Sequence, residues 1–165
     1  MTTTHTVTDS PYGPLTLVAE DGVLSRLYME NQRHRPPQET FGELDGGGPF
    51  PEVIRQLDAY FAGERTAFDL ELDLRGTDFQ RAVWDQLRRI PYGETRSYGQ
   101  LALALGKPGA SRAVGLANGK NPVGIIVPCH RVIGSGGGLT GYGGGLDRKQ
   151  RLLAFEKGAP EDALF

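Results

Sequence analysis

The sequence predicts an α/β N-terminal domain over residues 1–76, a small antiparallel sheet with a helix, joined to a mainly helical C-terminal domain over 77–165 that contains a helix-turn-helix. Two observations about patterning carry this. Short runs of β-branched and apolar residues split by turn signals fill the first thirty positions, and capping boxes open helical patterns after residue 76. A third observation is the charge. Residues 1–76 hold 6 Lys/Arg and 13 Asp/Glu, a net of −7, while residues 77–165 hold 12 and 7, a net of +5, which together give the −2 of the whole chain. Such asymmetry suits one half that faces nucleic acid, and the bland alternative is ordinary scatter of solvated charge.

The N-terminal elements follow in order. Thr4–Asp9, Pro14–Ala19 and Val23–Met29 read as strands, separated by Ser10-Pro11-Tyr12-Gly13 and Asp21-Gly22. Asn31–Phe50 is polar, with Pro36-Pro37 and Gly46-Gly47-Gly48, and reads as a mobile loop. Pro51 suits helix position N1, and Val53, Ile54, Leu57, Tyr60 and Phe61 then make one apolar face. Phe68, Leu70, Leu72 and Leu74 alternate with polar residues and predict a half-buried strand.

In the C-terminal part, Thr77-x-x-Gln80 is a capping box ahead of Phe79, Val83, Trp84 and Leu87 at helical spacing. Ser97-x-x-Gln100 opens a second helix through Leu105, Gly106-Lys107-Pro108-Gly109 turns the chain, and 110–118 is a third helix. Ala110, Ser111, Ala113, Gly115 and Ala117 leave that third helix with an almost bald surface, Arg112 being the exception. A helix with side chains is about 10–12 Å across and a minor groove about 6 Å wide, so small residues let the backbone approach where a bulky recognition helix could not. Close helix–helix packing is the competing explanation. Val123–Val127 reads as a short strand ending in an exposed corner at Cys129, and Asp147 as the cap of a last helix ending at Gly158.

Chemistry concentrates around Cys129, the single cysteine. It excludes an internal disulfide and a thiolate-rich zinc site, and His5, His34 and His130 are too scattered for a metal cluster, so neither metal nor cofactor is expected. A lone Cys is more often a small buried hydrophobe than a nucleophile. Here His130 is adjacent and Glu156 on the last helix could orient it, a Cys–His–Glu arrangement, while two glycine-rich stretches, Gly134–Gly138 and Gly141–Gly145, let backbone approach a flat ligand. The N-terminus has neither a basic nor an apolar leader and no segment is apolar enough to span a membrane, so a cytoplasmic, reducing compartment is expected.

The run Pro128-Cys129-His130-Arg131-Val132, with Asn121-Pro122 before it and Tyr142-Gly143-Gly144-Gly145 and Glu156 after it, resembles the O6-alkylguanine-DNA alkyltransferases, the methylated-DNA–protein-cysteine methyltransferases. The likeness reaches back through Arg112-Ala113-Val114-Gly115, Ser97-Tyr98 and Tyr92-Gly93, and so covers about residues 77–157. It implies a ribonuclease H-like N-terminal domain and a winged-helix-like C-terminal one. It further implies single-use transfer of an alkyl group from O6-alkylguanine, and O4-alkylthymine, in double-stranded DNA to Cys129 after the nucleotide is flipped out.

Each role follows from the resemblance. His130 and Glu156 would activate the thiol through water, Asn121 would brace the turn, and Tyr98 would bond guanine N3. Arg112 would fill the gap in the base stack, with Ser111, Ala113 and Gly115 along the minor groove. The Cys129 and Val132 carbonyls would hold the guanine amine, Tyr142 would wall the pocket, and the Gly143 amide would bond the departing O6. The zinc of some relatives does not carry over, because its cysteines are absent, and no obligate protein partner is implied. A Cys–His hydrolase and a lesion sensor with a structural cysteine are the rival readings; one methyl added at Cys129 would separate them.

Overall fold

In the computed structural model, which describes residues 2–138 and 141–158, the N-terminal runs form Thr3–Thr8 (β1), Leu15–Glu20 (β2) and Val23–Met29 (β3). β2 pairs antiparallel with both neighbours, and all six of its residues are buried, as a central strand requires. The 31–50 segment is more structured than its polarity suggests. Phe41 is fully buried, stacks on Tyr28 with centroids 5.3 Å apart, and lies under the Arg26 and Arg35 guanidinium groups. That anchor lays Glu43–Leu44 (β4) parallel to β1, so the sheet is mixed, in order β3-β2-β1-β4.

The turn after the anchor admits only glycine. Gly42 has φ +75°, and a Cβ there would stand 1.9 Å from the Thr3 carbonyl oxygen, a backbone atom that cannot swing away. Gly42→Ala is therefore expected to cost at least about 2 kcal/mol in a chemical-denaturation measurement.

Phe50–Phe61 (α1) starts one residue earlier than expected, with Pro49 as cap and Pro51 at the second position, and it buries Phe50, Val53, Gln56, Leu57 and Tyr60. Gln56 explains why 68–74 is not a ladder-forming strand. Its side-chain amide donates to the Asp69 carbonyl at 3.0 Å and accepts from the Asp69 amide at 2.9 Å. The backbone is thus satisfied by a side chain, and only an isolated bridge, Leu24 to Leu72, joins the segment to the sheet.

The described residues divide into two compact units between Arg75 and Gly76. The second unit contains Asp78–Arg88 (α2), Arg96–Ser97 (β5), Tyr98–Ala104 (α3), Ser111–Gly119 (α4), Val132–Ile133 (β6) and Leu146–Glu156 (α5). Thr77 with Gln80 and Ser97 with Gln100 form reciprocal capping boxes that fix the starts of α2 and α3. α2 buries Val83, Trp84 and Leu87, and the Trp84 indole N–H donates to the Ala117 carbonyl of α4 at 2.8 Å. α5 is capped by Gly145 at φ +95°, not by Asp147, which sits in the first turn and makes no capping bond. Among the described residues no helix is long and apolar enough to cross a membrane.

Candidate active site

The apolar run 123–127 is not a strand. The Asn121 side chain accepts from the Val123 amide at 3.0 Å and donates to the Val127 carbonyl at 2.8 Å, and the Val127 amide closes onto the Val123 carbonyl at 2.9 Å. One asparagine thus supplies the hydrogen bonds a neighbouring strand would have given, and the chain doubles back with Ile125 at φ +71°. That conformation strains a β-branched residue and persists because Val123, Ile125 and Val127 are all buried by it. Cys129–Arg131 then form one 3-10 turn. Cys129 is consequently buried, at 7% exposure, and not at an exposed corner.

Burial pushes the Cys129 thiol above its ordinary range, while a hydrogen bond from the Asn121 side chain and the charge of Lys149 pull it down. The net direction is upward, so the resting sulfur is a thiol. Lys149, fully buried on α5, is itself pushed down by burial and held up by Cys129. His130 is fully buried, with Nε2 2.9 Å from Glu156 Oε2, and Nδ1 has no hydrogen-bond partner among the described residues. A carboxylate accepts, so Nε2 carries the proton and Nδ1 presents its lone pair. Burial holds His130 below its ordinary value, and Arg131 and Lys149 add to this against the pull of Glu156.

Arg131 completes the cluster. Its Nε donates to Glu156 Oε1 at 2.7 Å, one terminal nitrogen to Oε2 at 2.9 Å, and the other to the Ile90 carbonyl at 2.7 Å. Burial alone would raise the Glu156 carboxyl, but the hydrogen bonds from His130 and Arg131 outweigh it and hold it at about 2. A folded-state value below the ordinary 4.5 means that the stabilisation is complete above that pH and is lost as pH falls toward 2. Denaturation midpoints between pH 7 and pH 2 are expected to show this limb, and Glu156→Gln should begin lower at pH 7 and lose less on acidification.

β5 and β6 pair in parallel, Arg96 with Val132 and Ser97 with Ile133, which ties the root of α3 to the residues just after the cysteine turn. Tyr98 is the first residue of α3 and half-buried, its ring carbons 3.8 Å from where a Cβ on Gly115 would lie. α4 starts one residue later than expected. It buries Val114, Ala117 and Asn118, leaves Ser111 and Gly115 half-buried, and exposes Arg112, Ala113 and Leu116. Ala117 therefore belongs to the interior, and Leu116, not an alanine, interrupts the small-residue surface.

Val132 is buried, and its amide donates to the Cys129 carbonyl, which leaves that carbonyl one further lone pair. Tyr142 is half-buried, with its hydroxyl 3.7 Å from where a Cβ on Gly124 would lie, and Gly143 is half-buried in the turn closed by the Gly145 amide onto the Tyr142 carbonyl at 2.9 Å. Residues 139–140 of the glycine loop lie outside the described residues. Sequence reasoning missed Lys149 and Arg131 as members of this cluster. Nothing in a helix pattern marks a lysine as buried, and Arg131 entered only as a letter of a motif.

Residues 78–158 match the DNA-binding domain of 6-O-methylguanine DNA methyltransferase, and residues 3–74 match the ribonuclease-like domain of that family. A methylated-DNA–protein-cysteine methyltransferase of Mycolicibacterium paratuberculosis is 60% identical over 149 residues, 90% of this chain and 89% of that one. A protein of the same name from Methanosarcina acetivorans is 49% identical over 153 residues, 92% and 97% of the two chains. The crystal structure of Mycobacterium tuberculosis OGT in complex with DNA superposes with a TM-score of 0.89 at 58% identity, covering 98% of each chain.

Proposed function

The chain belongs to the 6-O-methylguanine DNA methyltransferase family, and on that premise we propose that Cys129 is the residue that takes the alkyl group. The reaction is direct-reversal DNA repair by alkyl transfer, carried out on DNA that the second unit binds. Residues 1–76 serve as the supporting domain, and 77–165 carry the DNA contact and the acceptor. We extend the substrate class to O4-alkylthymine, whose alkyl group sits on an equivalent exocyclic oxygen, and place the protein in the cytoplasm, where a lone thiol stays reduced.

One observation carries the residue assignment. The only thiol of the chain lies on a turn bonded by Asn121, within the field of Lys149, and next to a neutral histidine whose Nδ1 has no partner. The resting thiol is protonated, which protects it; a bridging water then relays its proton to His130 Nδ1 as the base is engaged. The thiolate attacks the alkyl carbon, an S–C bond forms, and the C–O6 bond breaks. Guanine regains at N1 a proton equivalent to the one the thiol lost, so no co-reactant is needed. Tyr98 and the Gly143 amide stabilise the leaving base by hydrogen bonds. The thioether does not hydrolyse, so each molecule acts once.

α4 faces the minor groove, with Arg112 the long cationic side chain on its exposed surface. Reading there is weak in sequence and strong in phosphate contact, so binding should weaken steeply with salt. Intact-mass analysis after mixing with O6-methylguanine duplex tests the whole reading: one methyl on Cys129 and a plateau at one equivalent are expected. Turnover with an unmodified Cys129 would mean a Cys–His hydrolase instead.

A further inference from the structure

On the reading of Cys129 as acceptor and His130 as its base, burial favours the neutral imidazole and the charge of Glu156 opposes it. In a Ser–His–Asp triad the carboxylate stabilises the imidazolium, and an unpaired buried carboxylate next to a histidine tends to draw a proton onto it. Here the carboxylate of Glu156 is already matched. The Arg131 fork takes both of its oxygens at 2.7 and 2.9 Å, and the oxygen at 2.9 Å is the one that His130 Nε2 also meets. The third Arg131 bond, to the Ile90 carbonyl at 2.7 Å, and the Tyr92 ring, 5.7 Å from the guanidinium carbon, leave the fork little freedom to rotate.

We propose, resting on that reading, that Arg131 is a positioning residue for alkyl transfer: by pairing with Glu156 it keeps His130 neutral, with the proton on Nε2 and Nδ1 open to the thiol. Arg131 touches no substrate. Its effect passes through Glu156, which it neutralises and whose carboxylate plane it fixes, so the acceptor oxygen stays on the Nε2 side. The other charges around His130 do not replace it. On α5 these are Glu156 itself and Lys149, a second cation acting in the same sense; the turn adds only the thiol, and the buried residues of α2 are Val83, Trp84 and Leu87, none of them charged. Arg131 thus meets both oxygens of Glu156, and His130 shares one of them. This differs from a simple Cys–His–Glu relay, in which Glu156 would serve the histidine alone.

The first test uses the unaltered protein. Nitrogen-15 NMR of His130 at pH 7 should show a neutral ring protonated at Nε2; an imidazolium, or a ring protonated at Nδ1, overturns the proposal. The second test titrates His130 in Arg131→Met and Arg131→Lys and follows single-turnover alkylation by free O6-benzylguanine against pH, a reaction that needs no DNA. In Arg131→Met the unmatched carboxylate should raise the His130 midpoint into the neutral range. Alkylation should then fall by at least about twofold at pH 7 and recover as pH is raised to 8.5. Arg131→Lys keeps the charge and should leave both the titration and the shape of the profile close to the parent. A folded Arg131→Met with an unmoved His130 titration and a parallel pH profile would make Arg131 a structural clasp only. Should Arg131→Met fail to fold, Arg131→Gln, which keeps a donor toward Glu156 but carries no charge, is titrated in its place with the same two outcomes. His130→Ala in the same assay separates this from the underlying reading. If it reacts as the parent does, His130 is not the base, and that reading falls before Arg131 is considered.

Discussion

Cys129→Ser is expected to lower alkyl transfer by at least about a thousandfold, because a serine hydroxyl is a far weaker nucleophile than a thiol at neutral pH. The exchange is close to isosteric. The Asn121 side chain that hydrogen-bonds the sulfur can bond a hydroxyl in its place, so the turn should keep its form. The variant should therefore bind O6-methylguanine duplex with parental affinity and release the methylated base unaltered. Single-turnover quenches analysed by mass will read both quantities. A serine variant that still transfers at more than a hundredth of the parental rate would mean that the acceptor lies elsewhere. The same variant offers a stable complex with damaged DNA, since it captures the substrate without consuming it.

Arg112→Ala is expected to slow repair of a paired lesion in duplex DNA by about a hundredfold, while attack on free O6-benzylguanine stays at the parental rate. Flipping a paired nucleotide costs a few kcal/mol, and a side chain that fills the vacated stack recovers part of that. Arg112 is exposed on α4, so the loss should be specific to duplex. The salt dependence of binding should also fall by about one counterion. Equal losses in both reactions would assign Arg112 to the pocket instead.

These expectations rest on features that differed in how visible they were beforehand. The two capping boxes were legible because each is a local contract between residues three apart, and a helix start needs nothing more. The first three strands of the N-terminal sheet were legible from their β-branched and apolar runs and the turns between them, while β4 was not, because it lies in the polar stretch read as a loop. The run 123–127 was misread because Val and Ile favour strands wherever a partner is available, and here Asn121 replaced the partner. The 68–74 segment failed for the same reason, with Gln56 as the replacement. Phe41 was hidden in a polar stretch where one aromatic makes no period.

At the site, the His130–Glu156 contact spans 26 positions; it was read from a histidine beside the lone cysteine and a carboxylate on the last helix, and the family resemblance implied the same pair. Lys149 could not be found at all, since a lysine near the start of a helix reads as solvated until the fold shows it fully buried.

Trp84 is the only tryptophan of the chain, and its indole N–H is bonded to the Ala117 carbonyl at 2.8 Å. The protein therefore carries its own optical probe. Indole emission shifts with the polarity and hydrogen bonding around the ring, and this ring is attached to the inner side of α4, whose outer side carries Arg112. Movement of that helix on a duplex, or after an adduct has settled beside the cysteine turn, would be registered as a change in colour or intensity without any dye. Stopped-flow fluorescence could then time docking and alkyl transfer as separate phases in the unlabelled protein.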